Sequence, residues 1–454
     1  MPLHQKPLPP QEAWLPFEPT PAQPFGRREA AHLFRRAGFA ANSRELDETV
    51  KLGPQQAAKK LVEASEGEFG GKMHTFAQTV LATNSSQTLA AWWLHRMLHT
   101  PAPLLEKTTL FWHSHFASSS AKVKDTRLMF NQNELLRRYA LGKFEPMVLG
   151  IARDPAMLIY LDSATNRKTH PNENFSREVM ELFVLGIGNY TEKDIQELAR
   201  CFTGWEIQYG AFKFNRYQHD YGSKTILGKS GNFDGSDSVK VLLEQPAAAR
   251  FLCGKLARYF ITDESDLSPD LIEPLAQNLR ESDYTFAPVL ETLLTSRLFY
   301  SQASVGKKVR SPVELGIGLL RSLEATAGLP QIAEQIRELG QMPLFPPNVK
   351  GWPGGMAWIN SSTLLGRANF VRQLVQDNDT LFGGVTLEAY IDKLGWKTAD
   401  QVVDNLSEIL LAVPLPKDVR SQLIAQIEGG REGRLTKLKK TVHTLGSLPE
   451  FQMA

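Results

Sequence analysis

The sequence predicts a mainly α-helical protein built from many helices, with one small β-hairpin insertion near residues 205–230. Apolar residues recur at helical spacing through most of the 454 residues. Glycine and proline interrupt these runs at short intervals and mark the helix ends. Only the stretch WEIQYGAFKFNRYQHDYGSKTILG alternates in the manner of short strands joined by glycine turns.

Proline dominates the first segment, residues 1–26. Eight of the 27 prolines lie within the first 24 positions. Because proline fixes φ and removes a backbone donor, this segment is predicted to be an extended arm, held on the body by Trp14 and Phe17. The rest of the chain divides into a helical region with a central polar block (27–205), the hairpin insertion (206–235), a second helical region with a Pro/Gly/Trp loop (236–380) and a helical tail (381–454).

Two helices are legible inside the polar block. The first is predicted from about Asn174 to Leu185 and is ended by Gly186 and Gly188. The second begins at Thr191, whose hydroxyl can cap it, with Asp194 three residues on as a variant of the capping box.

The charge balance and the cysteine count disfavour several classes of protein. The 51 basic residues nearly match the 49 acidic ones, so we expect no nucleic-acid partner. Two cysteines give neither a disulfide framework nor a C-x-x-C motif. The N-terminus lacks the pattern of a signal peptide, and no stretch approaches the roughly 18 apolar residues that span a bilayer. We therefore expect a cytoplasmic protein without a membrane span, and no feature specifies its oligomeric state.

The stretch FWHSHFA (111–117) places two histidines one residue apart in an aromatic run. If the helix that begins near Leu105 continues through both, His113 and His115 point about 200° apart and cannot share one ion. If the helix ends near Trp112, an extended H-x-H places both rings on one side, and the SSSA that follows favours this ending. Two imidazoles suit a divalent transition metal such as zinc, iron, copper or nickel. The alternative is a pair of semi-buried histidines that are hydrogen-bonded to neighbours.

A second polar group lies on the first helix of the polar block. Asn174, Glu178 and Glu181 have i, i+4, i+7 spacing, so one face presents an amide and two carboxylates. Glu178, Glu181 and Arg177 are candidate catalytic residues, and Asn174 is a candidate substrate-binding residue. Arg177 and Glu181 also have the spacing of an ordinary helical ion pair, so a structural network is the alternative.

A third group, His219 and Asp220, lies in the hairpin, where local hydrogen bonding is the alternative role. Together with His113 and His115, these residues are candidate ligands of a divalent transition metal, because histidines and a carboxylate form a common catalytic ligand set. The first hypothesis is therefore a metal-dependent enzyme, hydrolytic or oxidative, in which the ion activates water or polarises a substrate oxygen. The second is a non-catalytic binding or scaffold protein whose polar network is structural.

The histidines and the carboxylates are expected to meet. The 111–117 segment and the helix that carries Glu178 and Glu181 both have apolar faces interrupted by polar groups. A buried carboxylate without a partner is energetically unfavourable. We therefore predict that His113 or His115 approaches Glu178 or Glu181, directly or through one ion.

The loop PLFPPNVKGWPGG (343–355) has features of a substrate-facing lid. Its glycines allow unusual φ values, and Trp352 and the nearby Trp358 offer flat apolar faces to a substrate. The alternative is a structural turn fixed by a buried tryptophan. No G-x-S-x-G, Walker loop, G-x-G-x-x-G after a strand or H-E-x-x-H occurs, which disfavours the serine hydrolase, P-loop and dinucleotide classes.

Several stretches, taken in order, carry a resemblance to a known family: HLFRRAGF (32–39), FWHSHFA (111–117), RDPAMLIYLD (153–162), NENFSREVMELFVLGIGNYTEKDIQELARCFTGW (172–205), HD (219–220) and NVKGWPGGMAWINSSTLLGRANF (348–370). The sequence resembles the large bacterial family catalogued as domain of unknown function 1800. The resemblance implies a largely helical fold and carries over no catalytic residue, because the family has no established activity. Many members look exported and are encoded beside a sulfatase-like family. This implies a sulfatase-like companion as partner, although the present sequence departs from those members in lacking a signal.

Overall fold

Helices dominate the structure, a computed structural model that describes residues 8–263 and 267–454. They account for 62% of the residues, which confirms the prediction of a mainly α protein. The helices before the polar block are α1 (Pro10–Ala13), α2 (Arg27–Ala37), α3 (Ser43–Glu63), α4 (Gly67–Ala82), α5 (Ser86–His99), α6 (Pro103–His115), α7 (Ser120–Val123), α8 (Thr126–Tyr139), α9 (Phe144–Arg153) and α10 (Pro155–Tyr160).

Both helices predicted in the polar block are present. The first consists of α11 (Asn174–Glu178), which continues directly into a π-helix (Val179–Val184). The second is α12 (Glu192–Cys201), in which the Thr191 hydroxyl accepts a hydrogen bond from the Asp194 N–H and the Asp194 carboxylate accepts one from the Thr191 N–H. Helical spacing predicts a helix here but does not distinguish a π-helix from an α-helix.

The helices after the hairpin region are α13 (Gly235–Leu243), α14 (Pro246–Phe260), α15 (Pro269–Glu281), α16 (Phe286–Thr295), α17 (Pro312–Ser322), α18 (Leu329–Glu338), α19 (Ser361–Gln376), α20 (Leu387–Lys393), α21 (Ala399–Leu410), α22 (Lys417–Glu428), α23 (Arg434–Ser447) and α24 (Pro449–Gln452). Single 3₁₀ turns occupy Ser163–Thr165 and Gly355–Trp358. Within the described ranges, no helix is long and apolar enough to cross a membrane.

Two β-hairpins, rather than one, occupy the predicted insertion. Strand β1 (Trp205–Gln208) pairs antiparallel with β2 (Ala211–Phe214), and β3 (Lys224–Ile226) pairs antiparallel with β4 (Lys229–Gly231). A further antiparallel pair of two residues each, β5 (Ala325–Thr326) and β6 (Leu381–Phe382), links the second helical region to the tail. The strands of the described chain thus form only small two-stranded sheets, as the sequence predicts.

The proline-rich arm lies against the second helical region. Residues 1–7 of the predicted arm lie outside the described residues, and α1 adds one helical turn that the proline argument does not predict. Pro10 is compatible with that turn because the first helical position needs no N–H. The Trp14 indole Nε1 donates to the Leu271 carbonyl oxygen at 2.6 Å, and the Phe17 N–H donates to the Thr295 carbonyl oxygen at 2.8 Å.

Helix α6 lies at the centre of the packing. All of its residues are buried except Leu105 and Ser114, so it is enclosed on almost every side. Its buried polar side chains have partners on other helices. The Glu106 carboxylate, for example, forms ion pairs with Arg96 of α5 (2.9 Å) and with Arg137 of α8.

A buried ion pair joins α6 to α17. The Lys107 ammonium contacts the Glu314 carboxylate, which also accepts a hydrogen bond from the Ser311 N–H at 2.7 Å as part of the capping box of α17. Burial by itself raises the pKa of Glu314, but Lys107 and then Lys308 outweigh it and lower the pKa to about 2. Glu314 is therefore ionised at neutral pH and carries two structural roles at once.

Candidate functional site

Helix α6 continues through both histidines. It ends at His115 rather than near Trp112, so the favoured expectation of an extended H-x-H is wrong. The His113 Nε2 accepts a hydrogen bond from the Leu344 N–H at 3.1 Å. The His115 Nε2–H donates to the Phe183 carbonyl oxygen at 2.9 Å. Two histidines one residue apart on a helix face different neighbours, and here they bind different segments.

His115 and Lys255 together hold the end of the π-helix. The Lys255 ammonium donates to the Leu182 carbonyl oxygen at 2.8 Å and to His115 Nδ1 at 3.1 Å. Carbonyl groups at a helix end lack partners from their own chain, and basic side chains commonly satisfy them. Within the π-helix, the Phe183 carbonyl thus accepts a hydrogen bond from His115 of α6, and the Leu182 carbonyl accepts one from Lys255 of α14. A side-chain insertion of this kind is a recognised cause of irregular helix geometry.

The environment keeps these histidines neutral. Burial lowers the pKa of His113 to about 3. Burial, reinforced by the neighbouring Lys255, lowers the pKa of His115 well below its ordinary value. Burial also lowers the pKa of Lys255 to about 7. Both imidazoles consequently act as hydrogen-bonding groups that connect helices at neutral pH.

Two carboxylates on the outer side of the π-helix region have no such partners. Glu178 and Glu181 are half-buried, yet neither accepts a hydrogen bond nor forms an ion pair with any residue in the described part of the chain. Burial raises the pKa of Glu178, and the like charge of Glu181 raises it further, against the opposing effects of Lys350 and Arg177. π-Helices are rare and are found frequently at functional sites.

Two phenol groups and one ammonium group interact electrostatically with this pair of carboxylates. Burial and then the charge of Glu178 raise the pKa of Tyr160, the last residue of α10. Burial and then the charge of Glu181 raise the pKa of Tyr190, which precedes α12. Lys350 belongs to the Pro/Gly/Trp loop, and its positive charge lowers the pKa of Glu178. We call Tyr160, Glu178, Glu181, Tyr190 and Lys350 the carboxylate cluster.

The Pro/Gly/Trp loop packs on the end of α6. Gly351 has φ +76°, and a Cβ atom there would lie 2.2 Å from the Ser114 carbonyl oxygen, so only glycine fits. The Trp352 ring lies 5.7 Å from the His113 ring between centroids and is half-buried, whereas Trp358 is only 6% exposed. Part of the Trp352 ring is therefore exposed, whereas Trp358 has a packing position.

The remaining predicted site residues form local structural contacts. Arg177 pairs with Glu173 at 3.1 Å and with Glu192, instead of pairing with Glu181 as the helical spacing allowed. The Asn174 amide donates to the Leu161 carbonyl oxygen at 3.3 Å. Neither side chain hydrogen-bonds to the carboxylate pair.

His219 and Asp220 lie in the connection between the two hairpins and hold it to the C-terminal end of α12. The His219 Nδ1–H donates to the Thr203 carbonyl oxygen at 2.8 Å, and the Asp220 carboxylate pairs with Arg200 at 2.7 Å. The hydrogen bond from Arg200, which outweighs burial, lowers the pKa of Asp220. Both residues thus have the hairpin contacts that were the alternative to metal ligation.

The predicted metal ligands do not assemble into one donor set. Among residues 8–263 and 267–454, no group of three or more histidine, cysteine, aspartate or glutamate side chains is arranged to hold a metal ion. The His113 ring is hydrogen-bonded to a backbone amide, and the His115 ring is hydrogen-bonded to a backbone carbonyl and to Lys255. No hydrogen bond or ion pair joins either ring to Glu178 or Glu181. The polar block does pack beneath His115, but it presents carbonyls rather than carboxylates to the ring.

Sequence reasoning did not find Tyr160, Tyr190, Lys350 or Lys255. The first three lie in loops or at helix ends, where no periodicity links them to Glu178. Lys255 did leave a signal, because it is a single lysine within the apolar run FLCGKLARYF of α14. A lone cation on a buried helix face requires a partner, which here is the end of the π-helix.

Comparison with known proteins identifies a family and no activity. The model of the family described as "Protein of unknown function (DUF1800)" matches residues 32–453. No curated protein matches the chain, and no solved structure matches it.

Proposed function

Because this chain belongs to the DUF1800 family, whose description names no activity, we propose a function from the site itself. The carboxylate cluster is the substrate-contacting surface of an enzyme, and Glu178 is its proton-transferring residue. The chemistry that fits is general acid–base catalysis, as in a hydrolytic reaction, without a resident metal ion.

One observation carries this proposal. Glu178 and Glu181 are half-buried carboxylates without a hydrogen-bonding or ion-pairing partner among the described residues, although buried polar groups in native proteins are normally satisfied. An external ligand or water is the partner that such groups require. Glu181 lies on the π-helix and Glu178 directly precedes it, a position that agrees with this role.

The pair favours proton transfer because its two members repel. Burial and the charge of Glu181 raise the pKa of Glu178, so Glu178 keeps its proton to a higher pH than an ordinary glutamate does. A protonated Glu178 can donate to a leaving group and can accept the proton back in the return step. The hydroxyls of Tyr160 and Tyr190 offer donors to a bound substrate, and Lys350 offers a positive charge for an anionic intermediate.

A labelling experiment tests the protonation state without knowledge of the substrate. Water-soluble carbodiimide reacts with protonated carboxyl groups, and peptide mass spectrometry can follow each site as the pH is raised. Labelling of Glu178 should persist to a higher pH than labelling of Glu192, whose pKa the hydrogen bond from Arg177 lowers. In Glu181→Gln the Glu178 profile should move to lower pH, because the like charge is gone. Equal profiles for Glu178 and Glu192 in the native protein would contradict the proposed acid.

A substrate panel tests catalysis itself. The full chain is incubated with nitrophenyl glycosides, esters and phosphates, beside Glu178→Gln, Glu181→Gln and the matched control Arg177→Ala. Turnover of one class should be lost in Glu178→Gln and retained in Arg177→Ala. In the native chain the rate should fall as the pH rises through the pKa of Glu178, since the acid form is then lost. Turnover that survives Glu178→Gln would show that another group transfers the proton.

A second candidate function is non-catalytic binding. It is favoured by the intramolecular contacts of His113, His115, Asp220 and Arg177, which show that much of the predicted polar network connects helices. Under this alternative the carboxylate pair holds a donor group of a partner molecule. Panel turnover in the native chain separates the two candidates, because a binding protein gives none.

A further inference from the structure

A cavity of about 410 Å³ lies between α4, α8 and the end of α9, and none of its lining residues belongs to the carboxylate cluster. Its wall includes His74, Phe130, Glu134, Leu135, Arg138 and Asp154. The apolar part comes from Phe130 and Leu135, and the polar part comes from Asp154, Arg138, Glu134, His74 and Asn131. A concave, partly apolar space with few polar groups is the usual form of a small-molecule site.

The two acidic groups of the cavity differ in their pairing. Glu134 accepts from the guanidinium groups of Arg96 at 3.1 Å and of Arg137, so its charge is already neutralised. Asp154 is only 6% exposed and forms no ion pair with any residue that the structure describes. Its Oδ2 accepts from the Gln132 Nε2–H at 2.6 Å and from a backbone amide of α10. Asp154 is thus the carboxyl group on this wall that lacks a cation.

Arg138 is the matching group of opposite sign. Its side chain is exposed and makes neither a hydrogen bond nor an ion pair with the described residues, and it lies beyond ion-pair distance of Asp154. His74 is hydrogen-bonded to Gln78 at 3.3 Å on its own helix. The cavity therefore holds one unpaired acid at a buried position and one unpaired base at an exposed position.

We propose that this cavity binds a small zwitterion, with its ammonium group at Asp154 and its anionic group at Arg138. A ligand that carries both charges pairs both residues at once, whereas a ligand with one charge leaves the other unpaired. Guanidinium groups are well suited to carboxylate or phosphate recognition because they donate two parallel hydrogen bonds. The apolar wall at Phe130 and Leu135 suits the aliphatic part of such a molecule.

Proton linkage provides a signature for this contact. Burial raises the pKa of Asp154 to about 7, although hydrogen bonds from Met157 and Gln132 oppose the shift. An ammonium ion favours the ionised carboxylate, so binding near pH 7 should release roughly half a proton. The other titratable groups on the wall are His74, Glu134 and Arg138, whereas the adjacent Arg153 donates to Ser236 and points elsewhere.

Calorimetric titration of the full chain at pH 7 tests the proposal. The probes are glycine, β-alanine, γ-aminobutyrate and 5-aminovalerate, with propylamine and propionate as single-charge controls. At least one zwitterion should bind with a Kd below about 10 mM and at least tenfold more tightly than either control. Titration in two buffers of different ionisation enthalpy should report the released proton.

Two variants assign the contact to its residues. Asp154→Asn keeps a side-chain acceptor for the N-cap of α10 and should abolish proton release and weaken binding at least about tenfold. Because the Arg138 side chain is exposed, Arg138→Gln should leave the thermal midpoint of unfolding unchanged. It should weaken zwitterion binding by a similar factor. The proposal is overturned if no zwitterion binds, if propylamine or propionate binds as tightly, or if Arg138→Gln binds as the native chain does. The Arg138 result decides even if Asp154→Asn fails to fold.

Discussion

Helix α6 and the π-helix region both place polar side chains against apolar surfaces. They differ in whether those side chains have partners within the described part of the protein. In α6, Lys107 pairs with Glu314, and His113 accepts from a backbone amide. Glu178 at the end of α11 and Glu181 on the π-helix have no partner of either kind among the described residues. Polar groups in a closed network fix the packing of helices, whereas unpaired groups at a half-buried position are available to a ligand. The comparison thus separates structural polarity from candidate functional polarity within one protein.

The largest expected effect comes from breaking the ion pair of α6. Lys107→Met leaves the Glu314 carboxylate buried without its main cation and should lower the free energy of unfolding by about 3–5 kcal/mol. Glu314→Gln keeps the capping box of α17, since glutamine serves at that position. The double variant should therefore be less destabilised than the sum of the single variants in chemical denaturation. Additive costs would show that the two residues are not coupled.

A smaller effect is expected at the histidine of the same helix. His113→Phe preserves the ring but removes the acceptor of the Leu344 N–H, which should cost about 1–3 kcal/mol at pH 7. The variant should also change the pH dependence. Because the folded pKa of His113 is depressed to about 3, the unfolded chain binds more protons between pH 6.5 and 3, and stability is lost as the pH falls through this window.

Denaturation midpoints between pH 7 and 3 check this prediction. The loss of stability should be shallower in His113→Phe than in the native chain, and His115 should account for part of the remainder, since its pKa is also lowered. Parallel curves for the two proteins would mean that His113 is not buried in its neutral form.

The carboxylate pair should tolerate substitution. Glu178→Gln and Glu181→Gln each remove a half-buried charge that has no hydrogen-bonding or ion-pairing partner among the described residues, so the free energy of unfolding should stay within about 0.5 kcal/mol of the native value or rise. A marked loss of stability in either variant would place these residues with those of α6, as structural groups. Thermal and chemical denaturation of both variants would decide.

The smallest effect is expected at Arg177. Its ion pairs with Glu173 and Glu192 are largely exposed to solvent, and pairs of this kind contribute little. Arg177→Ala should show the same denaturation midpoint as the native chain. A clear shift would indicate that Arg177 supports the π-helix in a way that its contacts do not suggest.

Local signals predicted the elements whose formation depends on neighbours in sequence. Thr191 and Asp194 mark the start of α12 in the sequence and cap it in the structure. The π-helix was not predictable, because its carbonyls accept hydrogen bonds from His115 and Lys255, which lie in distant parts of the sequence. The direction of His113 depends on Leu344 for the same reason.

The candidate site was predictable only in part. The spacing of Glu178 and Glu181 identified two members of the carboxylate cluster, since both lie on one helix. Tyr160, Tyr190 and Lys350 come from three further segments, and no periodicity connects them. The division of the chain into five segments, its cytoplasmic location and its sulfatase-like partner stay predictions.

The position of α6 has a consequence for the synthesis of the protein. The Lys107 partner Glu314 lies 207 residues downstream, and the His113 partner Leu344 lies 231 residues downstream. A ribosome has therefore completed most of the chain before the central helix can reach its native surroundings. Until then, Lys107 and His113 lack their native partners, and we expect the apolar surface of this helix to be the part of the nascent chain most prone to non-native contacts.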